Sequence, residues 1–236
     1  MMRVSVVGTV HEEQGLANVS QLHEILERIR PEVIFLEIPS AALDDYLNGT
    51  LSNLESTAAQ RYRESHSVVL VPVDLPTPEE EFFRNVRELR ERVRNTSTDY
   101  RRLISWDNHH ISDYGFAYLN SERCRELWSD IYGAIREALE QLDDHKLNEF
   151  FESWKHTNEL RDRAMLKNIE DYCLLRPFEN SVFLVGAAHT QSLINKSREG
   201  HGAGSRRSEW DFTVFLDGSK REGSTSGRSR PDTRAA

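Results

Sequence analysis

No run of apolar residues in this 236-residue chain approaches the roughly 20 that a membrane-spanning helix needs, so a membrane is not an expected partner. Cysteine is scarce: Cys124 and Cys173 are the only two, both in helix-like segments. Such a pair excludes a disulfide framework and reads as buried, reduced thiols of a cytoplasmic protein. Positive charge is in deficit, with 30 Lys and Arg against 39 Asp and Glu, a formal net of −9. That balance argues against nucleic acid as a partner, because tracking a phosphate backbone needs a basic surface. The opening "MMRVSVVGTVH" is too short and meets charge too soon to read as a secretory signal. The pattern HExxH is absent throughout, which removes the ordinary zincin arrangement.

What is present is an alternation of apolar runs and amphipathic stretches, the pattern of an α/β fold. "MRVSVVG", "EVIFLEIP", "SVVLVPVDLP" and "SVFLVG" are continuous apolar runs that predict buried strands, and "EWDFTVFLDG" predicts a last strand with partial alternation. Val19, Leu22, Ile25, Leu26 and Ile29 recur at helical spacing before Pro31. A second helical region is expected over about 41–65, interrupted near "NGT". "TPEEEFF" combines a threonine cap, a proline and three acids, the composition of a helix start. "TSTDYRRLISWDNHHISDYGFAYLN" has no clean period and reads as loop with short helical turns. Residues 121–175 read as almost wholly helical with a break near "HTN", and "TQSLINKSRE" as a short helix. The expected architecture is a central mixed, mainly parallel sheet with a large helical layer. Residues 1–218 would form one domain with a helical insertion at about 78–175. The remaining 219–236 are polar, hold no apolar core former, and are expected to be a disordered tail.

The four clear strands end on groups that carry chemistry. The first ends in "VGTVHEE", bringing Gly8, His11 and Glu12; the second ends at Glu37; the third at Asp74; the fourth in "VGAAH", bringing Gly186 and His189. In a mostly parallel sheet these ends share one edge, where open α/β folds bind ligands. Each glycine allows a sharp turn or a close backbone approach beside such a site. Two imidazoles and a carboxylate are a ligand set for a catalytic divalent metal. The same groups without metal suit acid–base chemistry, with His11 as base and Glu37 fixing its tautomer. Asp74 also fits a plain strand end before a turn. Arg161 shares a helix face with Met165, Asn168, Ile169 and Tyr172, where an arginine either reaches to solvent or meets an anion. "WDNHHISD", with Asp107, His109, His110 and Asp113, is a rival cluster or a lid over the cleft.

The ordered set of motifs is similar to the TraB/PrgY/GumN/Tiki family, within the erythromycin-esterase-like and ChaN-like superfamily. "VGTVHEEQGLANVSQLHEILERIRPEVIFLEIP" resembles the family's N-terminal signature, and "VFLVGAAHTQSLI" its second GxxH motif. "ELRDRAM", with Arg161, Asp162 and Met165, resembles its Arg-(Asn/Asp)-x-x-Met helix. The resemblance spans about 1–217, and its specific part is these three short blocks. It implies an erythromycin-esterase/ChaN-like core and a metal-dependent hydrolase of an amide, peptide or ester bond. His11, Glu37 and His189 would hold a divalent ion (Mn, Co or Zn), with Arg161 stabilising negative charge on the substrate. The chain departs from membrane-bound members in having no membrane segment. Two alternatives stand beside this reading: a metal-free esterase, and a non-catalytic protein that sequesters a peptide or small ligand in the same cleft.

Overall fold

The computed structural model describes residues 1–199 and 208–215. Five strands, β1 (Met2–Thr9), β2 (Val33–Pro39), β3 (Val69–Asp74), β4 (Asn180–Gly186) and β5 (Ser208–Asp211), form one sheet in the order β3-β2-β4-β1-β5. Every pairing is parallel, so the expected mixed sheet is parallel throughout its described strands. The central strands are apolar at successive positions because both faces are covered. Ile34, Leu36, Val182 and Leu184 enter one apolar core, while Val33, Phe35, Phe183 and Val185 enter the other. One strand sequence thus supplies two cores by its two-residue alternation.

The helices are α1 (Val19–Ile29), α2 (Leu43–Leu47), α3 (Leu54–Arg63), α4 (Glu80–Thr96), α5 (Thr98–Leu119), α6 (Glu122–Leu142), α7 (His145–Leu175) and α8 (Thr190–Glu199). Asn18 caps α1 by accepting from Gln21 N–H, and Arg30 closes it in the left-handed conformation at φ 52°. Asn53 and Ser56 form a reciprocal capping box at α3. Cys124 and Cys173 are buried free thiols, as expected. Among the described residues no helix is long and apolar enough to cross a membrane.

Four local expectations are corrected. The stretch read as loop is the 22-residue helix α5, broken only at Gly115 (φ 53°, ψ −134°). Its period is hidden because its buried side includes Asp107 and because the kink re-aims that side before Phe116 and Leu119. The break expected near "HTN" does not exist: α7 runs unbroken for 31 residues, about 46 Å. The real break lies at Asp143, left-handed at φ 48°, followed by Asp144, whose side chain accepts from Leu147 N–H. At α4 the cap position is Glu79, with no side-chain bond, rather than Thr77. The last strand ends at Asp211, where the side chain turns back to accept from Thr213 N–H at 2.8 Å. The tail expected at 219–236 lies outside the described residues.

Length in α7 has a purpose. Leu147, Phe151 and Trp154 pack into the first core, whereas Met165, Leu166, Ile169 and Cys173 pack into the second. The turn between them, carrying Arg161 and Asp162, crosses the end of the sheet. Asn168 fastens the helix there by donating to Val73 O at 2.9 Å.

The β1–α1 loop meets the α5 kink backbone to backbone. Leu16 N–H donates to Ser112 O at 2.9 Å, and Gly15 is itself at φ +55°. A side chain on Gly115 would put Cβ 2.6 Å from Leu16 O, in a conformation few L-residues adopt. Gly115→Ala is expected to cost about 3 kcal/mol, a fall of about 6–12 °C in Tm. Gly133, inside α6 with no neighbouring atom within 4 Å of where a methyl group would stand, serves as the control. Gly133→Ala should hold or raise Tm in the same thermal-melting series.

Candidate active site at the carboxyl edge of the sheet

His11, Glu37, Asp74, Arg161 and His189 line one cavity of about 640 Å³ beyond the C-terminal ends of β1 to β4. Parallel strands bring these ends together, as the sequence pattern anticipates. Gly186 also lines the cavity, and Gly8 lies behind it. A Cβ on Gly8 would sit 3.2 Å from Leu119 O and 3.3 Å from Ala187 Cα, so the glycine lets β1 pass between α5 and the turn after β4. Asn120 grips that same residue, accepting from Gly8 N–H at 2.6 Å and donating to Gly8 O at 3.0 Å. Glu12 is exposed and does not line the cavity.

The floor is a chain of alternating charges. Arg161 donates from Nε and Nη2 to Asp74, with Nη2–Oδ2 at 2.6 Å, and from Nη2 to Glu37 Oε1 at 2.6 Å. Gly186 N–H donates to Glu37 Oε2 at 2.6 Å. His189 Nε2 lies 3.3 Å from Glu37 Oε1, and its Nδ1 is 2.6 Å from Asp162 Oδ1. Lys196 Nζ completes the series 3.8 Å from Asp162 Oδ2. Three acids face three cations, which is how buried charge is tolerated.

This environment decides the state of His189. Burial alone would lower its pKa, but the hydrogen bonds to Asp162 and Glu37 outweigh burial and raise it to about 10. Glu37 shows the converse: burial would raise its pKa, and His189, Arg161 and the Gly186 N–H together hold it well below the usual range. His189 is therefore an imidazolium at neutral pH, flanked on both nitrogens.

His11 is different. The paired GxxH motifs suggest equivalent histidines, but the register sets Thr9, not Gly8, opposite Gly186. The chain after Gly186 then coils into a short 3-10 turn, Ala187–His189, that buries its histidine. The His11 side chain remains 64% exposed. Its Nδ1 is 3.1 Å from Glu55 Oε1, which also accepts from Thr9 Oγ1 at 2.7 Å. The residue that fixes the His11 tautomer is thus Glu55, and the sequence assignment of that role to Glu37 is corrected. The hydrogen bond to Glu55 is the leading influence on His11 and raises its pKa above the ordinary 6.5, against a smaller lowering by burial.

Sequence reasoning passed over Glu55 and gave Asp162 no role beyond its place in a motif. Both come from helices, and which helix face meets the sheet is a property of packing. The one available signal for Asp162 was its position beside Arg161. The "WDNHHISD" cluster does not assemble: His109 pairs with Asp113 at 3.2 Å on an exposed face, and His110 stacks on Trp106. It is helix rather than loop, and Asp107 and Ile111 from it wall the cavity. Asp107 accepts from Tyr118 Oη at 2.6 Å, and burial raises its pKa.

Above the floor the walls are apolar, built from Val10, Ile38, Phe82, Val86, Trp128 and Trp154 among others. Among the described residues no three His, Cys, Asp or Glu side chains are grouped so as to hold a metal ion. The donors explain this. Both nitrogens of His189 face carboxylates, Glu37 is bonded by Arg161 and Gly186, and the guanidinium takes the place a cation would need. As arranged, the residues do not fit a bound divalent ion.

No family model and no curated protein matches this chain. Among solved structures, an erythromycin esterase mutant in its open conformation aligns at a TM-score of 0.34 and 16% identity. The alignment covers 78% of this chain and 60% of that one.

The charge chain makes stability depend on pH with a definite sign. A histidine whose folded pKa is raised from 6.5 to about 10 contributes fully below pH 6.5 and loses that contribution as pH rises towards 10. Thermal melts across pH 6.5–10 should show a decline in Tm. In His189→Gln, which keeps a polar amide but cannot titrate, that pH-dependent part of the decline should be absent.

Proposed function

We propose that this chain is a hydrolase of an ester or amide bond, using His11 as a general base without a metal. The observation that carries the reading is a solvent-accessible imidazole, its Nδ1 held by the buried Glu55, in one cavity with a fixed guanidinium. With Nδ1–H donating to Glu55, Nε2 is the nitrogen left to accept a proton. It would take one from water as the water oxygen attacks the substrate carbonyl carbon. The tetrahedral oxyanion formed there needs donors that are already in place. Arg161 lines the cavity, and its Nη1 has no protein partner among the described residues. As the intermediate collapses, the carbon–oxygen or carbon–nitrogen bond breaks. The proton on His11 passes to the departing alcohol or amine, and the free imidazole is restored.

The buried acids and His189 have a supporting role. Asp74 and Glu37 fix the guanidinium in position, and His189 in turn fixes Glu37. The apolar walls suit a substrate with a bulky hydrocarbon or aromatic portion. The metal-dependent form of the same hydrolysis would need an ion to displace Arg161 from Glu37 and to deprotonate His189, and no grouped donor set among the described residues supports it. A sequestering role would use the same cavity and is separated by turnover.

The test is hydrolysis of an activated ester with an apolar acyl group by the full chain. His11→Ala should lose about 10²–10⁴-fold in kcat. Arg161→Lys keeps the charge but not the fork, and should lose about 10–10²-fold with the fold retained. Activity should rise with pH through a midpoint above 6.5, and Glu55→Gln should shift that midpoint down, because the carboxylate is what raises it. Chelation should change nothing. Activity abolished by chelator and restored by Mn, Co or Zn would establish the metal-dependent form. Tight binding of the ester with no turnover would establish sequestration.

A further inference from the structure

Among the described residues two side-chain polar atoms are buried without a protein partner: Tyr46 Oη and Glu55 Oε2. They are not scattered. Tyr46 is 1% exposed and Glu55 is 7% exposed, and both line a second, small cavity of about 20 Å³ behind the His11 loop. Burial, with Glu55 nearby, raises the Tyr46 pKa, so the phenol keeps its proton and is a donor. The two groups influence each other but make no direct hydrogen bond. A buried phenol and a buried carboxylate oxygen each left unpaired would cost stability that native structures rarely tolerate. A void of this size holds about one water molecule, for which roughly 10–15 Å³ suffices.

We propose that this cavity is a binding site for a single water that donates to Glu55 Oε2 and accepts from Tyr46 Oη, making Tyr46 a positioning residue for His11. The polar rim is suited to it: His11, Asn53 and Glu37 also line the space, while Leu36, Ile38 and Leu184 close it. Glu55 is then held at both oxygens. Oε1 takes Thr9 Oγ1 and His11 Nδ1, and Oε2 takes the water, so the carboxylate cannot rotate away from the imidazole. The role assigned to Tyr46 rests on the reading of His11 as base. The water site itself does not.

The experiments separate those two layers. A high-resolution crystal structure of the full chain should show one ordered water within about 3.2 Å of both Tyr46 Oη and Glu55 Oε2. Tyr46→Phe leaves the ring and removes only the hydroxyl. It should lower Tm by about 2–4 °C, because the water and Glu55 lose a partner. A rise in Tm would mean that the phenol had been dry and unpaired, and it would overturn the proposal, as would a cavity without the water. In turnover, Tyr46→Phe should lower kcat about fivefold at unchanged KM. The same substitution made in Glu55→Gln should have no further effect on kcat. An equal loss in both backgrounds would show that Tyr46 acts by packing alone and would overturn its positioning role. The crystallographic and melting readouts need no activity, so failure of the base reading would leave the water site standing.

Discussion

The carboxylates of Glu37, Asp74 and Asp162 are buried at one edge of the sheet, and each is tolerable only because a cation from another residue meets it. Arg161 is the member on which the others turn, since it satisfies two carboxylates from two adjacent strands with one planar group. A lysine ammonium has no fork with which to do this. To deliver that guanidinium, α7 must pass beneath the strand ends at a fixed height. This is why it is one long helix spanning both cores, and why Asn168 pins it to β3 about two turns later.

The same electrostatics divides the two histidines. His189 is surrounded by acids on both nitrogens and holds its proton across the neutral range, so it is a structural cation. His11 is held by one carboxylate and lines the open cavity, with its side chain largely exposed. Sharing a motif did not give them a shared chemistry. The difference arises from a one-residue offset in register and a 3-10 turn after Gly186.

Much of this was legible from the chain. Four strands could be read because each is written as a nearly unbroken apolar run. In β1, β2 and β4 that run is the mark of cover on both faces, while the edge strand β3 is only partly buried. The residues that end those strands could be read as a convergent site because a parallel sheet leaves them no other arrangement. The helical contributions could not. Asp107 sits on the buried side of α5 and breaks its apolar period, and Gly115 then turns the helix, so a 22-residue element looked like loop. Glu55 lies in the first turn of α3, where an acid is ordinary helix-start chemistry, and only the packing of α3 beside the β1 end gives it a histidine to hold. The metal expectation came from counting donor types. That count leaves out the cation Arg161, which stands among those donors and bonds Glu37.

The cavity walls and floor have separate origins. The floor belongs to strand ends and to one turn of α7, bound together by charge, whereas Phe82, Phe83, Val86 and Arg90 on α4 face the same space and take no part in that network. The α5 wall is tied through Gly15 and Gly115 to the loop that carries His11, so its angle is fixed by that backbone contact. The two sides of this pocket consequently differ in how far a substitution is felt. A changed side chain on α4 would reshape the cavity and leave the charge network in place, while a change on the α5 side would be passed to the loop that carries His11.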